Sequence, residues 1–177
     1  NSAPGSSAYS VVTRSVGAPD DSGNRLQTCF SYDTLSNLTQ IKAGATTDVT
    51  SPTCPGSPAV QATQSWDDFG ELLTRSDALS HVWNYAYDSH GNLSSSQSPE
   101  QAKVGAATKT TFVYDPNLNG LLMSRTVPGS GNAGQTVTYT RNALGQVTRA
   151  ETRDGSGVLI VAYDYGYDVA HRLASTS

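Results

Sequence analysis

One phrase returns along this chain: an aromatic residue, any residue, an aromatic, Asp, two residues, Gly, one residue, Leu. It is cleanest at Tyr85-Ala86-Tyr87-Asp88-Ser89-His90-Gly91-Asn92-Leu93. The same frame fits Phe30-Ser31-Tyr32-Asp33 with Leu38, and Trp66-Asp67 with Gly70 and Leu72. It fits Phe112-Val113-Tyr114-Asp115 once two residues are inserted before Gly120. It fits Tyr139 with Asn142, Gly145 and Val147, and then Tyr165-Gly166-Tyr167-Asp168 with Leu173. Self-similarity at spacings mostly in the twenties marks a repeat architecture, because one such unit cannot bury its own face and must stack on neighbours.

Each unit reads as a β-hairpin. Trp83, Tyr85 and Tyr87 alternate with Asn84 and Ala86, so three aromatics share one face of a strand. Asp88 through Gly91 supplies turn chemistry: Asp accepts from backbone N–H groups ahead of it, and Gly takes a left-handed backbone without steric cost. A type I turn followed by a left-handed Gly closes an antiparallel hairpin with a bulge. Ser36 and His171 stand where Gly is expected, which is costly unless their turns differ. Arg141 replaces the second aromatic, so weaker packing is expected in the fifth hairpin. Return turns at 128–132 and 154–157 leave strand-like stretches at 136–141, 146–153 and 158–168. The expected fold is all-β: an antiparallel meander of repeated hairpins in a spiralling, solenoid-like sheet. Residues 1–177 are taken as one repeat segment of about six degenerate hairpins, with 1–24 a degenerate or poorly ordered start.

The phrase resembles the tyrosine–aspartate repeat of Rhs/YD-repeat proteins. The best matches are Tyr87-Asp88-Ser89-His90-Gly91-Asn92-Leu93 and Tyr32-Asp33-Thr34-Leu35-Ser36-Asn37-Leu38, and the likeness runs over roughly residues 25 to 177. It implies hairpin arrays wound into a hollow shell, which in toxin branches encloses a C-terminal effector. Many members end the shell in a self-cleaving segment rich in Asp-Pro-x-Gly phrases. Asp115-Pro116 is the one Asp-Pro here, and it lies inside a repeat, so neither cleavage nor toxicity carries over.

Composition agrees with a thin sheet. Hydrophobic residues make up 36%, with nine Tyr against three Phe and two Trp, as suits rings that are apolar in the body and wet at the tip. Net charge is −4 and Lys42, Lys103 and Lys109 are the only lysines, so the footprint of a nucleic-acid binder is missing. No apolar run reaches membrane-spanning length, and the start resembles no signal peptide, so an excerpt or a processed product is expected. Cys29 and Cys54 flank the first hairpin, the latter in a Pro-rich loop. The favoured reading is a disulfide tying loop 43–63 to the sheet in an oxidising compartment, against two unrelated thiols.

No catalytic, cofactor or metal site is expected. His81, His90 and His171 sit in turns, which explain a polar residue by themselves. Asp33, Asp67, Asp88, Asp115 and Asp168 form a series, and repetition argues for turn formers over a unique active site. Asp67-Asp68 and Asp20-Asp21 match no calcium loop, and the Gly-rich stretch 129–134 precedes a strand, unlike a phosphate cradle. Asn37 and Asn92 head glycosylation sequons where the repeat already wants Asn before Leu. The aromatics Trp66, Trp83, Tyr85, Tyr87, Phe112, Tyr114, Tyr139, Tyr163, Tyr165 and Tyr167 read first as a sheet-stabilising ladder and second as a platform for sugars or unfolded cargo. The leading function is a non-catalytic scaffold, part of a shell or strand-paired filament at the cell surface or secreted. Its expected partners are flanking YD repeats or further copies, with an enclosed polypeptide as cargo. The alternatives are an extracellular glycan- or partner-binding module using loops 43–63 and 98–109, and the repeat portion of a toxin whose effector lies elsewhere.

Overall fold

Alternating side chains and Asp-headed turns produce thirteen strands among the described residues of the computed structural model, which are 9–14, 22–46, 58–105, 108–117, 120–129 and 134–177. The strands are β1 (Tyr9–Arg14), β2 (Arg25–Tyr32), β3 (Leu38–Thr46), β4 (Ala59–Trp66), β5 (Leu72–Asp77), β6 (Val82–Tyr87) and β7 (Leu93–Gln97). After helix α1 (Pro99–Val104) come β8 (Thr110–Tyr114), β9 (Leu122–Val127), β10 (Gln135–Arg141), β11 (Val147–Asp154), β12 (Leu159–Tyr167) and β13 (Leu173–Thr176).

The chain divides into two compact units, Asn1–Asn84 and Tyr85–Ser177, with β6 carrying the chain from the first into the second. In the first, strand order is chain order from β1 to β6; in the second it is chain order from β7 to β13. Described pairings are antiparallel. The fold is an all-β antiparallel meander.

Register separates two faces. In the second unit Phe112, Arg125 and Val137 lie in one row and Tyr139, Ala150 and Tyr163 in another. The opposite face carries Ser124, Thr138 and Glu151 in register. In the first unit Gln64, Arg75 and Trp83 form a row, while Thr63–Ser76 and Ser65–Thr74 pair their hydroxyls at 2.6 Å. Thr126 and Thr136 do the same at 3.0 Å. Cys29 is the only buried apolar side chain among the described residues, whereas Tyr163, Ile160 and Leu159 stay exposed. Cross-strand pairs, more than a layered core, therefore hold each unit together.

The expected loops are shorter than the sequence suggested. β3 extends to Thr46 and β4 starts at Ala59, so strands occupy both ends of 43–63. The stretch 98–109 holds α1, whose N-terminus is a capping box: Ser98 Oγ accepts from the Gln101 N–H, and Gln101 Oε1 accepts from the Ser98 N–H. The proline at the helix start favours this turn, since its fixed φ suits the first helical position. Cys54 lies outside the described residues, as do 1–8 and 15–21, so the disulfide and the state of the N-terminal segment stay proposals.

Candidate functional site

Each Asp that ends a first strand builds the same turn. In the Asp88 turn its N–H donates to the Asn92 carbonyl at 2.9 Å, and the Gly91 N–H donates back to the Asp88 carbonyl at 3.1 Å. The Asp88 Oδ1 accepts from the N–H groups of His90 (2.8 Å) and Asn92 (3.0 Å). Asp33, Asp67, Asn142 and Asp168 repeat the pattern. Asp115 keeps its ends, with Leu121 and Gly120 as partners across the two-residue insertion. Register shifts at Ser65/Trp66, Val113/Tyr114 and Thr140/Arg141 are the bulges that a left-handed closing residue produces.

Ser36 and His171 do not escape through different turns. Their φ values are 69° and 62°, so both hold the left-handed backbone that Gly91 holds at 81°. The same turn also recurs at Asp77 and Asp154, on the return side of their hairpins. The chain announces this at Asp154-Gly155-Ser156-Gly157. The turn expected before His81, Asp77-Ala78-Leu79-Ser80, takes the same form with Ser80 (φ 63°) in place of Gly.

A second set of bonds joins one hairpin to the one before. The indole Nε1–H of Trp66 donates to the Leu38 carbonyl at 2.7 Å, and the Tyr114 hydroxyl donates to the Leu93 carbonyl at 3.0 Å. The Tyr167 hydroxyl donates to the Val147 carbonyl at 2.9 Å. In every case the residue before the turn Asp reaches the Leu (or Val) position of the preceding phrase. Arg141 keeps the bond: its Nη2 donates to Leu122 O and its Nη1 to Gly145 O, both at 3.0 Å. The bridge to the preceding hairpin is thus kept without an aromatic, although the buried Arg141 Nε has no partner among the described residues.

Successive turns also touch. A Cβ on Gly120 would lie 3.2 Å from Asn92 Oδ1, one on Gly70 would lie 3.8 Å from Asn37 Oδ1, and Gln146 Nε2 donates to His171 O at 2.9 Å. Gly120, at φ 73°, is therefore fixed twice, by backbone and by neighbour.

Electrostatics follow the turn bonds. The Asn92 N–H, then its side-chain amide, hold the Asp88 carboxyl below its ordinary value; the Arg172 N–H does so for Asp168 and the Glu71 N–H for Asp67. At Asp33 and Asp77 burial pushes upward, but bonds from Asn37 and His81 outweigh it. Carboxylates held this way are committed to structure. Asn37 and Asn92 are likewise committed, each amide donating to its turn Asp at 3.1 Å, which a glycan on that nitrogen would disturb. A hollow of about 330 Å³ lies between two turns, lined by Asp88, His90, Asn92, Tyr114, Asp115 and Gly120. No group of three or more His, Cys, Asp or Glu suited to a metal occurs among the described residues.

The aromatic residues divide by role. Trp66, Tyr114 and Tyr167 bridge hairpins. Tyr139 and Trp83 lie under the guanidiniums of Arg141 and Arg75, each 5.8 Å from ring centre. The family described as RHS Repeat matches residues 66–103, the span that holds the Asp67 and Asp88 turns. The match is to that span and not to the whole chain. No curated protein matches its sequence. Among solved structures it is similar to part of the Photorhabdus luminescens Tc holotoxin pore carrying a TccC3 mutation, at 15% identity and TM-score 0.58. That likeness covers 86% of this chain and 8% of the other, and it bears on fold. A complex of TcdB2, TccC3 and Cdc42 aligns at 16% identity with TM-score 0.43, over 85% of this chain and 9% of the other. This chain thus spans under a tenth of either of those chains. At the coarse level its role is that of a structural repeat scaffold.

Proposed function

We propose that these Rhs repeats form one arc of a non-catalytic β-shell that acts outside the cytosol and surrounds a polypeptide cargo. The observation that carries this reading is the bond from four turn-preceding residues, Trp66, Tyr114, Arg141 and Tyr167, to the Leu or Val carbonyl of the hairpin before. A bond that depends only on the preceding hairpin can be repeated without limit, which a wall requires and a unique active site does not. The likeness in fold to part of a Tc holotoxin pore is in keeping with it. A sugar platform is disfavoured because the Trp66 N–H is already bonded and Arg75 covers Trp83. The same reading makes Cys29 and Cys54 a disulfide that pins the long loop beside β2.

Electron microscopy of the native protein that carries these repeats, with limited proteolysis before and after unfolding, tests the proposal. Hollow particles that shield an internal fragment are expected. Solid or extended particles with no shielded fragment would overturn containment. Alkylation of both cysteines without reductant would overturn the disulfide.

A further inference from the structure

We infer that Asp115 and Asn117, with Asn92 and Asp88 of the neighbouring turn, form a calcium site between two turns of the second unit. Among the described residues, the turns headed by Asp33, Asp67, Asp77, Asp88, Asn142, Asp154 and Asp168 all close on the third residue after the head. The Asp115 turn closes on the fifth, where the Gly120 N–H donates to the Asp115 carbonyl at 3.3 Å. Turns of one form argue for structure, and the one that departs needs a reason of its own.

The longer turn reads Asp115-Pro116-Asn117-Leu118-Asn119-Gly120 in the sequence. This is the opening of a calcium loop, in which alternate side chains supply oxygens and Gly permits a sharp bend. Gly120 holds the left-handed backbone of such a bend, at φ 73°. The Asp115 Oδ1 accepts from the Asn117 N–H at 2.7 Å, which draws two oxygen-bearing residues together. A helix-flanked calcium loop adds a Glu at its twelfth place. Thr126 stands there, in β9, with its hydroxyl paired to that of Thr136.

The neighbouring turn supplies the second carboxylate. The hollow of about 330 Å³ has Asp88 and Asn92 on one side and Asp115 and Gly120 on the other. Asn92 Nδ2 donates to Asp88 Oδ2 at 3.1 Å, which fixes the amide with its oxygen toward Gly120. A Cβ on Gly120 would stand 3.2 Å from that oxygen, so Gly keeps the approach to Asn92 Oδ1 open. Asp88 thus orients a ligand and adds a negative charge behind it.

Calcium accepts amide oxygens alongside carboxylates, so it needs no cluster of His, Cys, Asp and Glu. At about 30 Å³ per water, the hollow has room for an ion and for several waters that complete its shell. Two carboxylates without a closing Glu place the affinity among weak extracellular modules, with a dissociation constant on the order of 0.1–1 mM. Magnesium holds its waters and demands a tighter octahedron, so it should bind less well.

The test uses the native protein that carries these repeats, stripped of metal by chelation and then given calcium or magnesium chloride. Amide exchange is read on peptides spanning 85–93 and 112–123, with 165–174 as internal control. Calcium at about 10 mM, tenfold or more above the expected dissociation constant, should slow exchange in the first two roughly 3-fold or more. Magnesium should do markedly less, and peptide 165–174 should not respond. Asp115→Asn keeps a turn acceptor, as Asn142 does, and should raise the calcium midpoint roughly 10-fold by removing a charge. Asn117→Ala keeps the backbone bond to Asp115 and should raise the midpoint roughly 3-fold or more. Asp168→Asn, the same charge change in a turn of the common form, should leave the midpoint where it is. No calcium-dependent slowing, slowing shared with 165–174, or a midpoint indifferent to both Asp115→Asn and Asn117→Ala overturns the site.

Discussion

The hydroxyl of Tyr114 donates to the carbonyl oxygen of Leu93, 3.0 Å away and 21 residues earlier in the chain. Tyr114 ends a first strand and Leu93 begins the return strand of the hairpin before, so this bond joins phrase to phrase within the second unit. It explains why the phrase favours Tyr over Phe at this place: the ring packs on the sheet and the tip needs an acceptor.

Tyr114→Phe keeps the ring and removes the donor. It should lower unfolding free energy by about 0.5–1.5 kcal/mol, the usual net worth of such a bond. Tyr163→Phe is the control, since Tyr163 is half exposed and makes no hydrogen bond among the described residues. Denaturant titration of both variants checks the difference; equal losses would mean that the hydroxyl bridge is immaterial.

How much of this was legible beforehand depended on the range of the interaction. Hairpins and their turns are local, and Tyr85-Ala86-Tyr87-Asp88 states them through alternation and Asp chemistry. The bridges are not local. Nothing near Arg141 says that its guanidinium reaches Leu122 O, 19 residues back, so a broken pattern looked like lost packing. Helix α1 was legible in principle, because Ser98-Pro99-Glu100-Gln101 is a capping box, but six residues are too few to show a periodic apolar face.

Arg141→Tyr restores the phrase and removes a buried orphan Nε, so it should be near neutral or slightly stabilising. Arg141→Ala leaves the Leu122 and Gly145 carbonyls without their donor and empties the space over Tyr139. A loss of about 1–3 kcal/mol is expected. Thermal unfolding of the pair checks this, and equal midpoints for the two variants would deny the bridge.

Left-handed residues other than Gly mark where stability can be added. His171 sits at φ 62° and contributes to the next contact only through its carbonyl, which accepts from Gln146. His171→Gly keeps that carbonyl and relieves a backbone cost of about 1–2 kcal/mol, offset by roughly 0.5–1 kcal/mol of lost chain restriction. A net gain of about 0.5–1 kcal/mol in denaturant titration is expected. Gly120→Ala reverses the effect, since a Cβ there meets both a positive φ and Asn92 Oδ1.

Acid should loosen the turns before it affects the aromatic bridges, which contain no titrating carboxylate. The carboxyls of Asp33, Asp67, Asp77, Asp88, Asp154 and Asp168 are all held below the ordinary value of 3.8 in the folded chain. As pH falls through about 4, unfolded chains take up protons on these groups while folded ones resist, so the unfolded state gains. The stability they supply is complete above that value and is lost as pH drops toward the depressed folded values. Asp88→Asn keeps the turn acceptor, as Asn142 does naturally, but removes the titration. Unfolding free energies measured from pH 7 to pH 2.5 should therefore fall less steeply for Asp88→Asn than for the parent. Parallel curves would mean that the Asp88 turn contributes nothing to acid sensitivity.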